Sequence, residues 1–266
     1  MSKKIVLITG ANTGIGFETA KALLKSSEPY HVFVGSRDAT KGEQAAAALA
    51  KDIAQTTSTF ETIQIDVTSD ESINQAARIV KAKFGRLDVL VNNAGAAFDS
   101  TFDADIAKFR DVFKKAYDVN VSGAQVTTAV FTPLLLAASA PRIVFLTSGM
   151  STLQGNAETF FPPWAPNPAG GWPKTDLVAT QSYKACKAAL NMVFLTWHWI
   201  LRDDGVKTFC VSPGFLATNL GGRPELLKQM GAQHPEIGGK LVRAVVEGER
   251  DADVGKVITS DGVQPW

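Results

Sequence analysis

Tyr183 and Lys187 stand four residues apart in Tyr183-Lys184-Ala185-Cys186-Lys187, so on a helix their side chains share one face. A phenol with an ordinary pKa of about 10 is a poor proton donor or acceptor at neutral pH. An ammonium beside it favours the phenolate and brings the group toward working range. The pair is suited to passing a proton to or from an oxygen atom. Ser148 ends an apolar run and, taken alone, is an ordinary strand-end residue. Thr147 and Gly149 flank it without the G-x-S-x-G elbow of a hydrolase nucleophile. Cys186, inside the motif, has no nearby histidine to activate it and reads as a small packing residue. His198, between Trp197 and Trp199, reads as a packing or surface residue of a helix.

A second constellation binds rather than reacts. Thr9-Gly10-Ala11-Asn12-Thr13-Gly14-Ile15-Gly16 follows an apolar run and precedes a helix-forming stretch. Glycines there let the backbone turn tightly and approach a pyrophosphate, while a helix N-terminus offers free N–H groups and the positive end of its dipole. The next apolar run ends in Gly35-Ser36-Arg37-Asp38. An acidic side chain at that strand end would accept from both ribose hydroxyls of NAD. Arg37 instead suits a 2′-phosphate, since its planar fork donates two parallel hydrogen bonds. Asp38, one residue later, is explained as an N-cap. The expected cofactor is NADP(H) in preference to NAD(H).

The spacing T-G-x-x-x-G-x-G resembles the classical short-chain dehydrogenase/reductase family, and the resemblance runs down the whole chain. Asn92-Asn93-Ala94-Gly95, Asn120 in Val119-Asn120-Val121, Ser148, the Y-x-x-x-K of Tyr183 and Lys187, and Pro213-Gly214 follow in the family's order. The resemblance implies a catalytic tetrad of Asn120, Ser148, Tyr183 and Lys187. Ser148 would bind the substrate oxygen and Lys187 would hold the nicotinamide ribose. Asn120 would help hold a water that links Lys187 to solvent. It further implies cofactor contacts from Gly10, Asn12, Thr13, Gly14, Ile15, Gly16, Asp66, Val67, Asn93, Ala94, Gly95, Pro213, Gly214 and Thr218. The implied reaction is hydride transfer between the nicotinamide and a carbonyl or alcohol carbon, with Tyr183 moving the proton. Two departures stand out. The stretch between Ser148 and Tyr183 is enlarged, as in monomeric carbonyl reductases of the family. The usual D-G-G ending is replaced by Asp261-Gly262-Val263-Gln264-Pro265-Trp266, so the family's tetramer is not carried over.

Those residues need a scaffold. Short apolar runs at 5–9, 31–35, 60–67, 89–92, 142–147, 207–212 and 256–259 read as strands. Helical stretches such as 15–25, 41–54, 72–84 and 188–201 alternate with them, and Asp70 is the expected N-cap of the third. Pro133 should kink or end the long helical stretch beginning near Asp105. The expected architecture is one α/β doubly wound Rossmann-type domain over residues 1–266, with a parallel sheet of about seven strands. A substrate-loop insertion spans about 149–180 and a substrate-side segment about 214–235. Phe160, Phe161, Trp164 and Trp172 lie among five prolines in the insertion; with Phe215 they are candidates for an apolar substrate wall. They serve equally as a cover over helix surface that relatives bury by oligomerising.

Composition excludes several classes. Lys+Arg 27 against Asp+Glu 26 leaves a net charge of +1, which gives no broad attraction to nucleic acid or anionic membrane. Two cysteines make no disulfide framework, three histidines leave little for a metal site, and no apolar stretch approaches a membrane span. The short apolar run to Ile8 is too brief for the core of a signal peptide, so a cytoplasmic location is expected. The leading expectation is an NADPH-dependent reductase of a bulky, apolar or aromatic carbonyl compound, suited to tailoring a secondary metabolite. An imine or enone reductase, a cofactor-assisted cyclase and an NADP-binding regulator without turnover are the alternatives; a monomer and a homo-oligomer are equally open.

Overall fold

Runs of Val, Ile, Leu and Phe form the strands β1 (Lys4–Ile8), β2 (Tyr30–Ser36), β3 (Thr59–Gln64), β4 (Val89–Asn92), β5 (Arg142–Leu146), β6 (Lys207–Val211), β7 (Val257–Thr259) and β8 (Gly262–Val263). The computed structural model describes residues 3–53, 56–99, 106–158, 169–171 and 180–266. The strands form one sheet in the order β3-β2-β1-β4-β5-β6-β7-β8. All pairs are parallel except β7 with β8. β8 exceeds the expected seven strands; two residues carry no period for a sequence reading to detect, and pairing with β7 alone creates it.

Helices α1 (Gly14–Leu24), α2 (Ala39–Asp52), α3 (Asp70–Phe84), α4 (Ile106–Tyr117), α5 (Gly123–Leu135), α6 (Leu153–Glu158), α7 (Gln181–Leu201), α8 (Pro224–Gln229) and α9 (Glu236–Glu247) lie between the strands. Side chains alternate across the sheet. Leu7, Phe33, Leu90 and Phe145 face Val80 of α3, Phe131 of α5 and Phe194 of α7. Val6, Ile8, Val34 and Phe209 face Leu23 of α1, Leu49 of α2 and Val245 of α9. Both faces are therefore covered, as parallel strands require. β1 lies between β2 and β4, so the chain winds outward in both directions from that point and a crevice opens beyond the strands' carboxyl ends.

Two local expectations are corrected and a third is refined. Ser69, not Asp70, caps α3: its side chain accepts from Ser72 N, and Asp70 is the first helical residue. β3 stops at Gln64, because Asp66 folds into a turn in which its Oδ1 accepts from Thr68 N at 3.0 Å and Thr68 Oγ1 at 2.8 Å. Pro133 lies inside α5, which ends two residues later at Leu135; the larger interruption is a π-helical turn, Asp118–Ser122, between α4 and α5. Among the described residues no helix is long and apolar enough to cross a membrane, and no group of three or more His, Cys, Asp or Glu could hold a metal ion.

Candidate active site

The glycine loop and the segment after β4 are stitched together at the crevice. Thr9 Oγ1 accepts from Asn93 N at 3.1 Å and Ala94 N at 3.0 Å. Asn93 Nδ2 donates back to Thr9 O at 2.8 Å and Gly10 O at 3.0 Å. A Cβ at Gly16 would fall 2.4 Å from Asn93 Nδ2, so a larger residue would break the stitch. Gly14 holds φ +59°, where a side chain is strained. Thr13, the N-cap of α1, is extended and makes no side-chain capping bond. The Thr13 side chain thus leaves the start of α1 uncapped, and Gly14 and Ile15 line the crevice, where a helix N-terminus suits a phosphate-sized anion.

The crevice has a volume of about 340 Å³. Of the residues anticipated for cofactor contact, Gly10, Asn12, Thr13, Gly14, Ile15, Arg37, Asp66, Val67, Asn93, Ala94, Gly95, Tyr183, Lys187, Pro213 and Thr218 line it. Gly16 sits behind the loop, and Gly214 adopts φ +93° beyond Pro213. At the rim, Asp38 Oδ1 accepts from Lys41 N at 3.1 Å, which commits that carboxylate to capping α2. Ser36 Oγ donates to Asp38 O at 2.8 Å and holds the turn. Exposed Arg37 and Lys41 border the same end of the crevice.

At the other end Tyr183 and Lys187 project from one face of α7, with Lys187 Nζ 5.6 Å from the Tyr183 ring centre. Lys187 Nζ donates to Leu146 O at 2.7 Å, fixing the ammonium under the end of β5. The Ser148 hydroxyl, which accepts from Met150 N at 3.2 Å, acts on the Tyr183 phenol. Burial pushes the phenol up to about 12, and the Ser148 hydroxyl opposes that rise. Burial also pushes Lys187 down to about 8. The expected lowering of the phenol by Lys187 is corrected: desolvation dominates, and Ser148 is the group that counters it.

Asn120 lies in the π-helical turn, one residue out of register with an α-helix. Its Nδ2 donates to Ala96 O and Ala116 O, both at 2.8 Å, and its Oδ1 accepts from Ala96 N at 3.2 Å. A Cβ at Gly95 would lie 3.0 Å from Asn120 Oδ1 and 3.6 Å from Lys187 Nζ, so all three groups are neighbours. Thr218 Oγ1 accepts from Leu220 N at 3.3 Å and stands across from Gly14. Phe215 is half-exposed beyond β6. Phe160, Phe161, Trp164 and Trp172 lie outside the described residues.

Sequence reasoning missed Asp99. Its buried carboxylate accepts from Ser182 N at 2.9 Å and Tyr183 N at 3.1 Å. It caps α7 in place of Thr180, whose side chain makes no capping bond. Capping signals are read within a few residues, and 83 positions separate Asp99 from Ser182. Lys41, Thr68 and Asn219 also line the crevice unforeseen; for Lys41 the signal was present, one helical turn beyond Arg37.

The comparisons with known proteins identify the family. The short chain dehydrogenase family profile matches residues 4–160. The chain is 48% identical to the short-chain dehydrogenase/reductase tropE of Talaromyces stipitatus over 272 residues, covering 99% of this chain and 98% of that protein. It is 42% identical to the short-chain dehydrogenase/reductase eupG of a Phoma species over 274 residues, covering 99% and 98%. The NADPH-bound carbonyl reductase from chicken fatty liver has the same fold, with a TM-score of 0.80 at 24% identity over the full length of both chains. A doubly wound α/β sheet, an open glycine loop at its crevice and a Tyr-x-x-x-Lys helix facing that loop thus meet in a chain that belongs to the short-chain dehydrogenase/reductase family, oxidoreductases that bind a nicotinamide cofactor.

Proposed function

We propose that the protein is an NADPH-dependent reductase of a carbonyl group on a bulky, apolar or aromatic small molecule, acting in the tailoring of a secondary metabolite and reversibly oxidising the matching secondary alcohol. The observation that carries the reading is that Tyr183 and Lys187 line the crevice side by side, with Ser148 acting on the phenol. When bound, the nicotinamide cofactor supplies the hydride. Ser148 holds the substrate oxygen beside the phenol. Tyr183 gives its proton to that oxygen, and Lys187 as an ammonium stabilises the phenolate left behind. Asn120 ties the segment after β4 to the π-helical turn and keeps Gly95 against Lys187.

The preference for NADP(H) rests on Arg37 at the rim, joined by Lys41, and on the diversion of Asp38 into a cap. A carbonyl reductase of the same fold carries NADPH, which supports the same reading. Two unpaired, buried thiols, Cys186 and Cys210, suit a reducing cytoplasm. Titrating wild type and Arg37→Ala with NADPH and NADH, followed by nicotinamide fluorescence, tests the cofactor assignment. Wild type should favour NADPH. Arg37→Ala should weaken NADPH about tenfold or more, the scale of a lost charge-assisted hydrogen bond, and leave NADH unchanged. Equal binding of both cofactors, untouched by the substitution, would overturn it.

A further inference from the structure

Ser148 owes its position to a network outside the tetrad. Its carbonyl accepts from Ser151 N at 3.0 Å, Ser151 Oγ at 2.7 Å and Gln264 Nε2 at 3.4 Å. The Ser151 hydroxyl is saturated: it donates to Ser148 O and accepts from Asn191 Nδ2 at 3.0 Å and Gln264 Nε2 at 3.1 Å. Asn191 Oδ1 accepts from Thr147 Oγ1 at 2.7 Å. Thr147, Ser151 and Asn191 are all buried, where a group that loses its partner costs more than the bond itself contributes. Asn191 lies one turn beyond Lys187, so Tyr183, Lys187 and Asn191 follow each other on one face of α7.

Gln264 reaches this network from the far edge of the sheet. Its N–H donates to Val257 O at 2.9 Å, continuing the pairing of β8 with β7. Two residues on, Trp266 O accepts from Gln154 N at 2.7 Å and Thr152 Oγ1 at 3.2 Å. The segment after β8 therefore crosses the start of the 149–158 stretch and is fastened to it at both ends.

We infer that Gln264 is a positioning residue for Ser148: its amide joins the Ser148 carbonyl and the Ser151 hydroxyl, and through Ser151 and Asn191 it sets the serine against the helix that carries Tyr183 and Lys187. The inference rests on the reading that Ser148 and Tyr183 share the reacting oxygen. Misplacing a group at a reacting centre by about 1 Å can cost on the order of a hundredfold in rate, even when the change lies outside the chemistry.

The test uses Gln264→Ala and Gln264→Glu, the second keeping the shape and losing the donor, each in wild type and in Ser148→Ala. Turnover is followed with NADPH and acetophenone, together with NADPH affinity and hydrogen exchange of residues 147–152. In the wild-type background either substitution should lower kcat about tenfold or more and leave NADPH affinity unchanged. In Ser148→Ala neither should lower it further, because Gln264 acts through Ser148. An equal loss in both backgrounds, or unchanged kcat with only a lower Tm, overturns the inference. If wild type turns over no ketone, the functional reading fails, and exchange alone decides the positioning role. Faster exchange at 147–152 in the variants supports it; unchanged exchange refutes it.

Discussion

At the residue scale the site is two titratable groups displaced in opposite directions by the same burial. Tyr183 is held up near 12, so it keeps its proton across the neutral range but is a weaker acid than an ordinary phenol, and giving that proton up depends on a neighbouring charge that stabilises the phenolate. Lys187, lowered to about 8, is an ammonium below that pH and neutral above it. A neutral Lys187 cannot stabilise the phenolate, so kcat/KM for reduction should fall as pH rises through about 8. Lys187→Ala should show a lower rate without that limb, which a pH–rate profile at subsaturating NADPH reads directly. The residue types of the tetrad and glycine loop were legible because each sits in a short pattern with its own chemistry. The direction of the Tyr183 shift was not, because desolvation depends on burial that no spacing records. The position of Arg37 at the rim of the crevice was expected from the strand end alone, and the bond from Lys41 N commits Asp38 to capping α2.

At the element scale, strands and helices were readable wherever a hydrophobic period ran for five residues or more, and the misses fall where tertiary contacts decide. β8 exists by pairing with β7, and the π-helical turn at Asp118–Ser122 by the extra residue that turns Asn120 toward Ala96. The cap of α7 comes from Asp99, 83 positions away in sequence. Asp99→Ala removes the acceptor of two N–H groups of the Tyr183 helix, one of them buried, and should cost about 1–2 kcal/mol, the usual worth of a cap. In a protein of this size that is a fall of roughly 2–4 °C in Tm. Asp99→Asn keeps one acceptor and should lose less than half as much. Thermal unfolding of the two variants checks the order; equal melting of Asp99→Ala and wild type would remove the cap from the account.

At the scale of the whole molecule the sheet brings segments distant in sequence to one crevice, and its far side is tied by charge. Arg142 at the start of β5 donates from Nη2 to Asp251 Oδ2 at 3.1 Å, and Lys207 of β6 joins the same carboxylate. Arg142 and Lys207 hold Asp251 down at about 2, against an ordinary value of 3.8. A carboxylate lowered on folding stabilises the fold above its unfolded pKa, so this contribution, about 1–2 kcal/mol, is complete above about pH 4 and lost between about pH 4 and 2. Asp251→Asn should unfold more easily at neutral pH and lose less further stability across that acid window, as urea titrations at successive pH values would show. None of these ties was visible in sequence, since they join residues more than 40 positions apart. The central claim remains that Tyr183 delivers the proton in an NADPH-driven carbonyl reduction. The most direct measurement compares wild type and Tyr183→Phe for NADPH affinity and for NADPH oxidation with a panel of aromatic ketones. The account predicts unchanged NADPH binding and a loss of turnover of at least about a hundredfold. Turnover retained in Tyr183→Phe would contradict it and point to chemistry on this scaffold that does not use the phenol.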